Sequence, residues 1–353
     1  MIYLSCDYQE GCTPEILQRL AESNMEQTEG YGLDVHCARA RQLILSACGL
    51  NPQRDGFWRE DQTAGMVHFF VGGTQTNEIV IGSLLRPHQG VLCADSGHIQ
   101  VHETGAIEHG GHKVLALPTK DGKLTAMQVQ DAIMQHQFDP NIEHVVQPGM
   151  VYLSFPTETG LIYSRQELQA ISAICKQYGL PLYIDGARLG YGLTAEGSNV
   201  TLRDIARLAD LFYIGGTKQG ALFGEALVIT NAAYRKDFRY LIKQGGAMFA
   251  KGRLLGLQFE TLFTDDLYWR LSRHANEQAM RIKQALQSKG YPMPLDSPTN
   301  QQFAIFEDDK LAQLQQEFTL SVVEKTDPTH TLVRICTSWA TQSEWIDRLI
   351  AAL

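Results

Sequence analysis

Two short stretches carry residues suited to cofactor chemistry. Pro181-Leu-Tyr-Ile-Asp185-Gly-Ala-Arg188 and Leu211-Phe-Tyr-Ile-Gly-Gly-Thr217-Lys218 are apolar runs that end in charged or small residues. A buried parallel strand reads this way when it delivers a reactive side chain at its carboxyl end. An acid from one strand end and a lysine from another make half of a pyridoxal phosphate site. The lysine amine condenses with the cofactor's aldehyde, and the carboxylate keeps its pyridine nitrogen protonated. A charge-assisted hydrogen bond of that kind contributes roughly 1.5–3 kcal/mol. Each residue alone has a plainer reading: Asp185 as a turn or capping acid, Lys218 as a solvated surface lysine. Glycine and hydroxyl neighbours at a strand end favour a partly desolvated amine, with a pKa lowered towards that of a usable nucleophile.

Gly72-Gly73-Thr74-Gln75 lies between a strand pattern and a helix pattern. It is either a simple turn or a phosphate cradle, in which glycine lets an anion approach the free N–H groups of a helix start and Thr74 adds a hydroxyl donor. Four histidines (His98, His102, His109 and His112) fall within one stretch. His98 and His102 at i, i+4 would share a helix face, but the order is not His-Glu-x-x-His and no cysteine pair supports it, so no metal site is expected. His98 follows a strand end, where its ring can stack on a flat cofactor. Gly-x-Gly-x-x-Gly, a Walker loop and Gly-x-Ser-x-Gly are all absent from the sequence, which weakens nucleotide-binding and serine-hydrolase readings.

The elements that must hold these residues alternate. Thr13-Pro14-Glu15 opens a capped helix, and a second helix is expected over about 33–48. Strands are then expected at 66–71, 91–95, 113–117 and 150–155, and at the Asp185 and Lys218 runs. Helices are expected at 77–85, 98–108, 125–136, 164–178 and 202–208, the 164–178 helix opening on a capping box at Ser164-Arg-Gln-Glu167. Strand 225–230 follows a connection short enough to run antiparallel. Such alternation predicts an α/β fold with a mostly parallel central sheet and helices on both faces. From about residue 265 a long helix (266–288), three strands (303–306, 320–323, 332–336) and a last helix (344–353) predict a smaller C-terminal α+β domain.

The chain has 353 residues, a net charge of −9 and 44% hydrophobic content. That length suffices for a large core, and the acidic balance argues against nucleic acid as a partner. Seven scattered cysteines without Cys-x-x-Cys fit reduced thiols in the cytoplasm. The chain opens without a basic segment leading into an apolar stretch, so no leader is expected. No apolar run approaches membrane-spanning length.

Taken in order, Gly72-Gly-Thr-Gln-Thr-Asn77, His98 with Glu103, Thr157-Glu-Thr-Gly160, Asp185-Gly-Ala-Arg188, Thr217-Lys218 and Arg334 resemble the threonine aldolase and aromatic amino acid β-eliminating lyase family, fold-type-I pyridoxal-phosphate enzymes. The resemblance spans nearly the whole chain. It implies an N-terminal segment (1–45) against the small domain and a dimer partner, a large cofactor-binding domain (46–264) and a small domain (265–353). It implies that Lys218 binds the cofactor covalently, Asp185 pairs with the pyridine nitrogen and His98 stacks on the ring. Gly73 and Thr74 would hold the phosphate, Thr217 and Arg188 would also contact the cofactor, and Arg188 and Arg334 would grip the substrate carboxylate. Lys218, Glu158 and His98 are the implied catalytic residues.

Two departures from the family pattern stand out. Family members commonly carry histidine where this chain has Glu158, and an arginine that reaches a neighbouring subunit's phosphate where this chain has Phe249. Lys251 is the expected substitute for that arginine. Tyr31 falls in a segment that relatives use at a subunit interface, so a homodimer or homotetramer with the site at the interface is expected. The implied reaction is Cα–Cβ cleavage of a β-hydroxy-α-amino acid such as threonine or allo-threonine, giving glycine and an aldehyde. β-Elimination from an amino acid and a non-catalytic ligand-binding protein on the same fold are the alternatives.

Overall fold

The computed structural model describes residues 1–50 and 66–353; residues 51–65, within the span expected for the large domain, lie outside that description. The chain opens with a two-residue strand, β1 (Ile2–Tyr3), and two helices, α1 (Pro14–Glu22) and α2 (Val35–Ala47). Thr13 and Asp34 cap these helices through their side chains, as the N-terminal N–H groups of a helix require. β2 (Val67–Phe70), α3 (Gly73–Leu84) and β3 (Gln89–Ala94) follow. Then come α4 (His98–Val101), α5 (Ala106–His109), β4 (Lys113–Leu117), α6 (Ala126–Gln137), β5 (Gln147–Ser154) and α7 (Arg165–Tyr178). β6 (Leu182–Asp185), α8 (Leu189–Leu193), α9 (Leu202–Leu208), β7 (Leu211–Gly215) and β8 (Glu225–Ile229) complete the alternation.

Among the described residues the central sheet has seven strands in the order β2-β8-β7-β6-β5-β3-β4. β4, β3, β5, β6 and β7 are parallel, while β8 runs antiparallel to both its neighbours, as its short connection predicts. Side chains alternate between two cores with the period of a strand. Leu153, Ile184, Phe212 and Val228 face the core under α6, α7, α9 and the N-terminal helices. Tyr152, Tyr183, Tyr213 and Leu227 face the other core, against α3 and the segment after β3. Asp185 is two residues beyond Tyr183 and so shares the tyrosine face.

Two expectations are corrected. The glycine pair is not a separate turn before a helix at Asn77, since α3 begins at Gly73 itself. The helix expected over 98–108 is two short pieces, because Thr104 and Gly105 take left-handed backbone conformations between them. His102 ends the first piece, and its ring still shares a face with His98, the two ring centroids lying 5.6 Å apart. Among the described residues no histidine, cysteine and carboxylate group has metal-holding geometry.

Beyond β8, α10 (Phe238–Gln244) and α11 (Arg253–Leu262) lead to α12 (Leu267–Ser288). α12 joins both parts of the molecule: Tyr268 packs in the large core, while Ile282 and Leu286 pack in a third. That third core is closed by β9 (Gln301–Glu307), α13 (Asp308–Leu314), β10 (Phe318–Thr319), β12 (His330–Cys336) and α14 (Ser343–Ala352), while β11 (Ser321–Asp327) is an exposed edge strand. β11-β12-β9 form an antiparallel sheet, and β1 pairs in parallel with β10. Among the described residues no helix is long and apolar enough to cross a membrane.

The ends of β6 and β7 approach so closely that Gly215 N donates to Gly186 O at 2.9 Å. A Cβ on Gly186 would fall far inside van der Waals contact with the Tyr213 carbonyl. Gly186→Ala is therefore expected to destabilise the fold by about 1–3 kcal/mol, the range for overpacking a filled core. Chemical denaturation of wild type and variant measures this as a lower midpoint at unchanged slope.

Candidate active site

His98, Ser154, Pro156, Glu158, Asp185, Ala187, Arg188 and Lys218 line one cleft at the carboxyl ends of the central strands. Asp185 is the last residue of β6 and 4% exposed. Its Oδ2 accepts from Tyr152 Oη at 2.6 Å and Asn77 Nδ2 at 3.1 Å. Its Oδ1 accepts from the Tyr213 hydroxyl and, at 3.0 Å, from Ala187 N. Burial pushes this carboxyl upward, but the His98 charge and the tyrosine and backbone donors outweigh it and hold Asp185 below the usual aspartate range. The result is a buried anion that keeps its charge at neutral pH.

The glycine segment reaches the same carboxylate. A Cβ on Gly73 would meet Tyr213 Oη at 2.8 Å, so α3 starts directly against the phenol that binds Asp185. No side chain caps α3, and Thr74 is exposed on its first turn. Its free N–H groups can take an anion. Asn77, one turn on, gives Nδ2 to Glu103 Oε1 at 2.7 Å as well as to Asp185, and its Oδ1 accepts from Tyr183 Oη at 2.8 Å. Glu103 Oε1 also takes His98 Nδ1 at 2.7 Å. Burial lowers the His98 pKa, but this hydrogen bond, reinforced by Asp185, carries it above its ordinary value.

Lys218 lies three residues past β7. Burial, then the nearby Arg188 charge, depress its pKa from that of an ordinary lysine, against the opposing pull of Asp7 and Asp185, which favours the neutral, nucleophilic amine. Its turn is held by Glu225, at the start of β8, which accepts from Thr217 Oγ1 at 2.9 Å and Gly216 N at 3.1 Å. Burial pushes Glu225 up to about 8. The Thr217 hydroxyl is thus committed to the turn.

Glu158 Oε1 accepts from Ser154 Oγ at 2.5 Å and from His98 N at 2.9 Å. Its Oε2 is buried with no hydrogen-bond partner. Burial raises this carboxyl above the ordinary glutamate value despite the Ser154 hydrogen bond, which suits it to exchange a proton with a bound molecule.

The two arginines differ. Arg188 gives Nε and Nη2 to Asp7 at 2.7 and 3.0 Å, and Asp7 is buried and also accepts from Asn300 Nδ2 at 2.9 Å. Arg334, on β12, lies outside the cleft lining, with Nη1 on Gln301 Oε1 at 3.2 Å, Nη2 on the Ser5 carbonyl at 3.0 Å, and Nε buried without a partner. Lys251 and Phe249 are exposed, away from the cleft.

These residues fit pyridoxal phosphate. A buried anion with fixed donors suits a pyridinium, a desolvated lysine suits its aldehyde, and an uncapped glycine-led helix start suits its phosphate. Sequence reasoning missed Asp7 as a partner of Arg188, and Tyr152 and Tyr213 as partners of Asp185. The tyrosines carried a readable pattern, since Val-Tyr-Leu, Leu-Tyr-Ile and Phe-Tyr-Ile each place a hydroxyl inside a buried strand, where it needs a partner.

Removing the Tyr213 hydroxyl tests the Asp185 arrangement. Because the folded pKa of Asp185 is depressed, affinity for the cofactor is held at neutral pH and lost as pH falls through that pKa. Tyr213→Phe is expected to move this loss to higher pH, read by cofactor titration across the acid range.

The chain matches the β-eliminating lyase family over residues 4–309. It is 33% identical over 276 residues to the low specificity L-threonine aldolase of Pseudomonas aeruginosa, covering 76% of this chain and 74% of that one. It is 26% identical to the low specificity L-threonine aldolase of Saccharomyces cerevisiae, over 82% of this chain and 70% of the relative. Among solved structures, threonine aldolase from Leishmania major superposes with a TM-score of 0.93 at 43% identity, covering 99% and 98% of the two chains. Aspartate aminotransferase from Thermus thermophilus shares the fold, with a TM-score of 0.69 at 13% identity over 100% and 90%. With its strand-end lysine and buried carboxylate, this chain belongs to the β-eliminating lyase family and is a fold-type-I, pyridoxal-phosphate-dependent lyase.

Proposed function

We propose that this lyase cleaves the Cα–Cβ bond of a β-hydroxy-α-amino acid, with threonine or allo-threonine as first substrates and glycine and an aldehyde as products. One observation carries the reading: Glu158 places a buried, unpartnered carboxylate oxygen in the same cleft as Lys218, Asp185 and His98. The low specificity threonine aldolases among its relatives point the same way.

Bound pyridoxal phosphate supplies an electron sink for the pair released at Cα. In this reading the Lys218 amine anchors the cofactor, and Asp185 holds the pyridine N–H. His98, steadied by Glu103, would stack on the ring. Gly73 and Thr74 at the start of α3 would hold the phosphate, while Thr217 keeps the turn that carries Lys218 in place. Arg188 keeps Nη1 and the free edge of its guanidinium for the substrate carboxylate, because Asp7 engages only Nε and one side of Nη2. Arg334 would join it from the small sheet. Glu158 accepts the β-hydroxyl proton, and Ser154 steadies the carboxylate that receives it.

The division into segments 1–45, 46–264 and 265–353 is part of the same proposal, as are a homodimer or homotetramer and a cytoplasmic location. The exposure of Tyr31 and Lys251 supports a subunit contact through which Lys251 reaches a neighbour's phosphate. The seven free cysteines support a reducing compartment.

Incubating the holoenzyme with threonine, allo-threonine and β-phenylserine should release aldehyde from at least one of them. Pyruvate and ammonia without aldehyde would move the assignment to β-elimination. Glu158→Gln is expected to lower kcat by about 10²–10⁴-fold, the usual contribution of a positioned base. In the wild type, kcat/KM should rise with pH through a value above the ordinary glutamate pKa of about 4.3, since the base must be ionised. Glu158→Gln should remove that acidic limb.

A further inference from the structure

The residues assigned above account for the cofactor, the substrate carboxylate and the proton. None of them meets what lies beyond Cβ. Around Lys218 the lining side chains are polar, apart from Pro156 and Ala187.

Tyr8 lies beside this cleft. It follows Asp7 directly, and Asp7 is fixed by Arg188 and Asn300, so the backbone that carries Tyr8 is anchored. The segment leading to it is also tied down. β1 pairs with β10, Leu4 O accepts from Cys336 N at 2.8 Å, and Ser5 O accepts from Arg334. Lys218 Nζ stands 5.9 Å from the centroid of the phenol ring. Even so, Tyr8 remains 55% exposed. A half-exposed ring, carried on an anchored backbone next to the reactive amine, is a preformed surface for another flat or branched apolar group.

We propose that Tyr8 is a specificity-determining residue: its ring forms the wall against which the Cβ substituent of the substrate packs, favouring aromatic or large aliphatic substituents over methyl. The inference rests on the aldol-cleavage reading. It adds the class of substrate, a β-hydroxy-α-amino acid with a bulky apolar Cβ group.

Measuring kcat/KM for β-phenylserine and threonine in wild type, Tyr8→Phe and Tyr8→Ala tests it. Tyr8→Ala is expected to lower the phenylserine-to-threonine ratio by about tenfold or more, within the range for apolar pocket contacts, while Tyr8→Phe keeps the wild-type ratio. Phenylalanine and alanine, which have no β-hydroxyl, give the same comparison without turnover: the ratio of their affinities for the holoenzyme, read by cofactor absorbance, should shift by a similar factor in Tyr8→Ala. Unchanged ratios in Tyr8→Ala would overturn the proposal. An equal loss in Tyr8→Phe would also overturn it, by assigning the effect to the hydroxyl. If wild type releases aldehyde from neither substrate, the aldol reading fails, and the phenylalanine-to-alanine comparison still decides whether Tyr8 reads the side chain.

Discussion

The arrangement depends on keeping one carboxylate charged where water is excluded. Burying a carboxylate normally drives it neutral. Asp185 resists because Tyr152, Tyr213, Asn77 and Ala187 N all donate to it and the His98 charge lies nearby. Each donor is a consequence of the fold. The period of two in β5, β6 and β7 brings Tyr152, Tyr183 and Tyr213 to one face of the sheet, together with Asp185. α3 packs on that face from Gly73, which leaves room for the Tyr213 hydroxyl, and so Asn77 arrives one turn later.

The same logic separates the tasks of the charged groups. Lys218 is depressed by burial and by Arg188, while Arg188 is itself held by Asp7 in a paired, buried arrangement of the kind that suits a planar guanidinium. Glu225 fixes the turn under Lys218 without lining the cleft. Glu158 has an unpartnered oxygen, in contrast to the fully engaged carboxylate of Asp185. An anion with every oxygen satisfied suits a permanent electrostatic role, and one with a free oxygen suits proton exchange.

Much of this was legible in the sequence, and the reasons are local. Strand-end residues such as Asp185 follow from short apolar runs, and the antiparallel β8 follows from its short connection. Capped helices such as that after Ser164 announce themselves through neighbouring residues. The break between α4 and α5 was not legible, because it rests on Thr104 and Gly105 adopting left-handed backbone conformations inside an otherwise helical pattern. Nor was the Asp7–Arg188 pair, whose partners are far apart in the chain and meet only in the folded structure. Long-range pairing of this kind leaves no periodic trace. Arg334 is intermediate: its place on β12 was expected, but its bonds to Gln301 and Ser5 come from tertiary packing.

The central claim is that Lys218, in a desolvated turn facing the Asp185 anion, is the residue that binds the cofactor. Reducing the holoenzyme with borohydride, digesting it and sequencing the modified peptide by mass spectrometry tests this directly. The account predicts pyridoxal phosphate fixed on Lys218 and on no other lysine. Label on a different lysine, or an unlabelled Lys218 in protein that has bound cofactor, would contradict it.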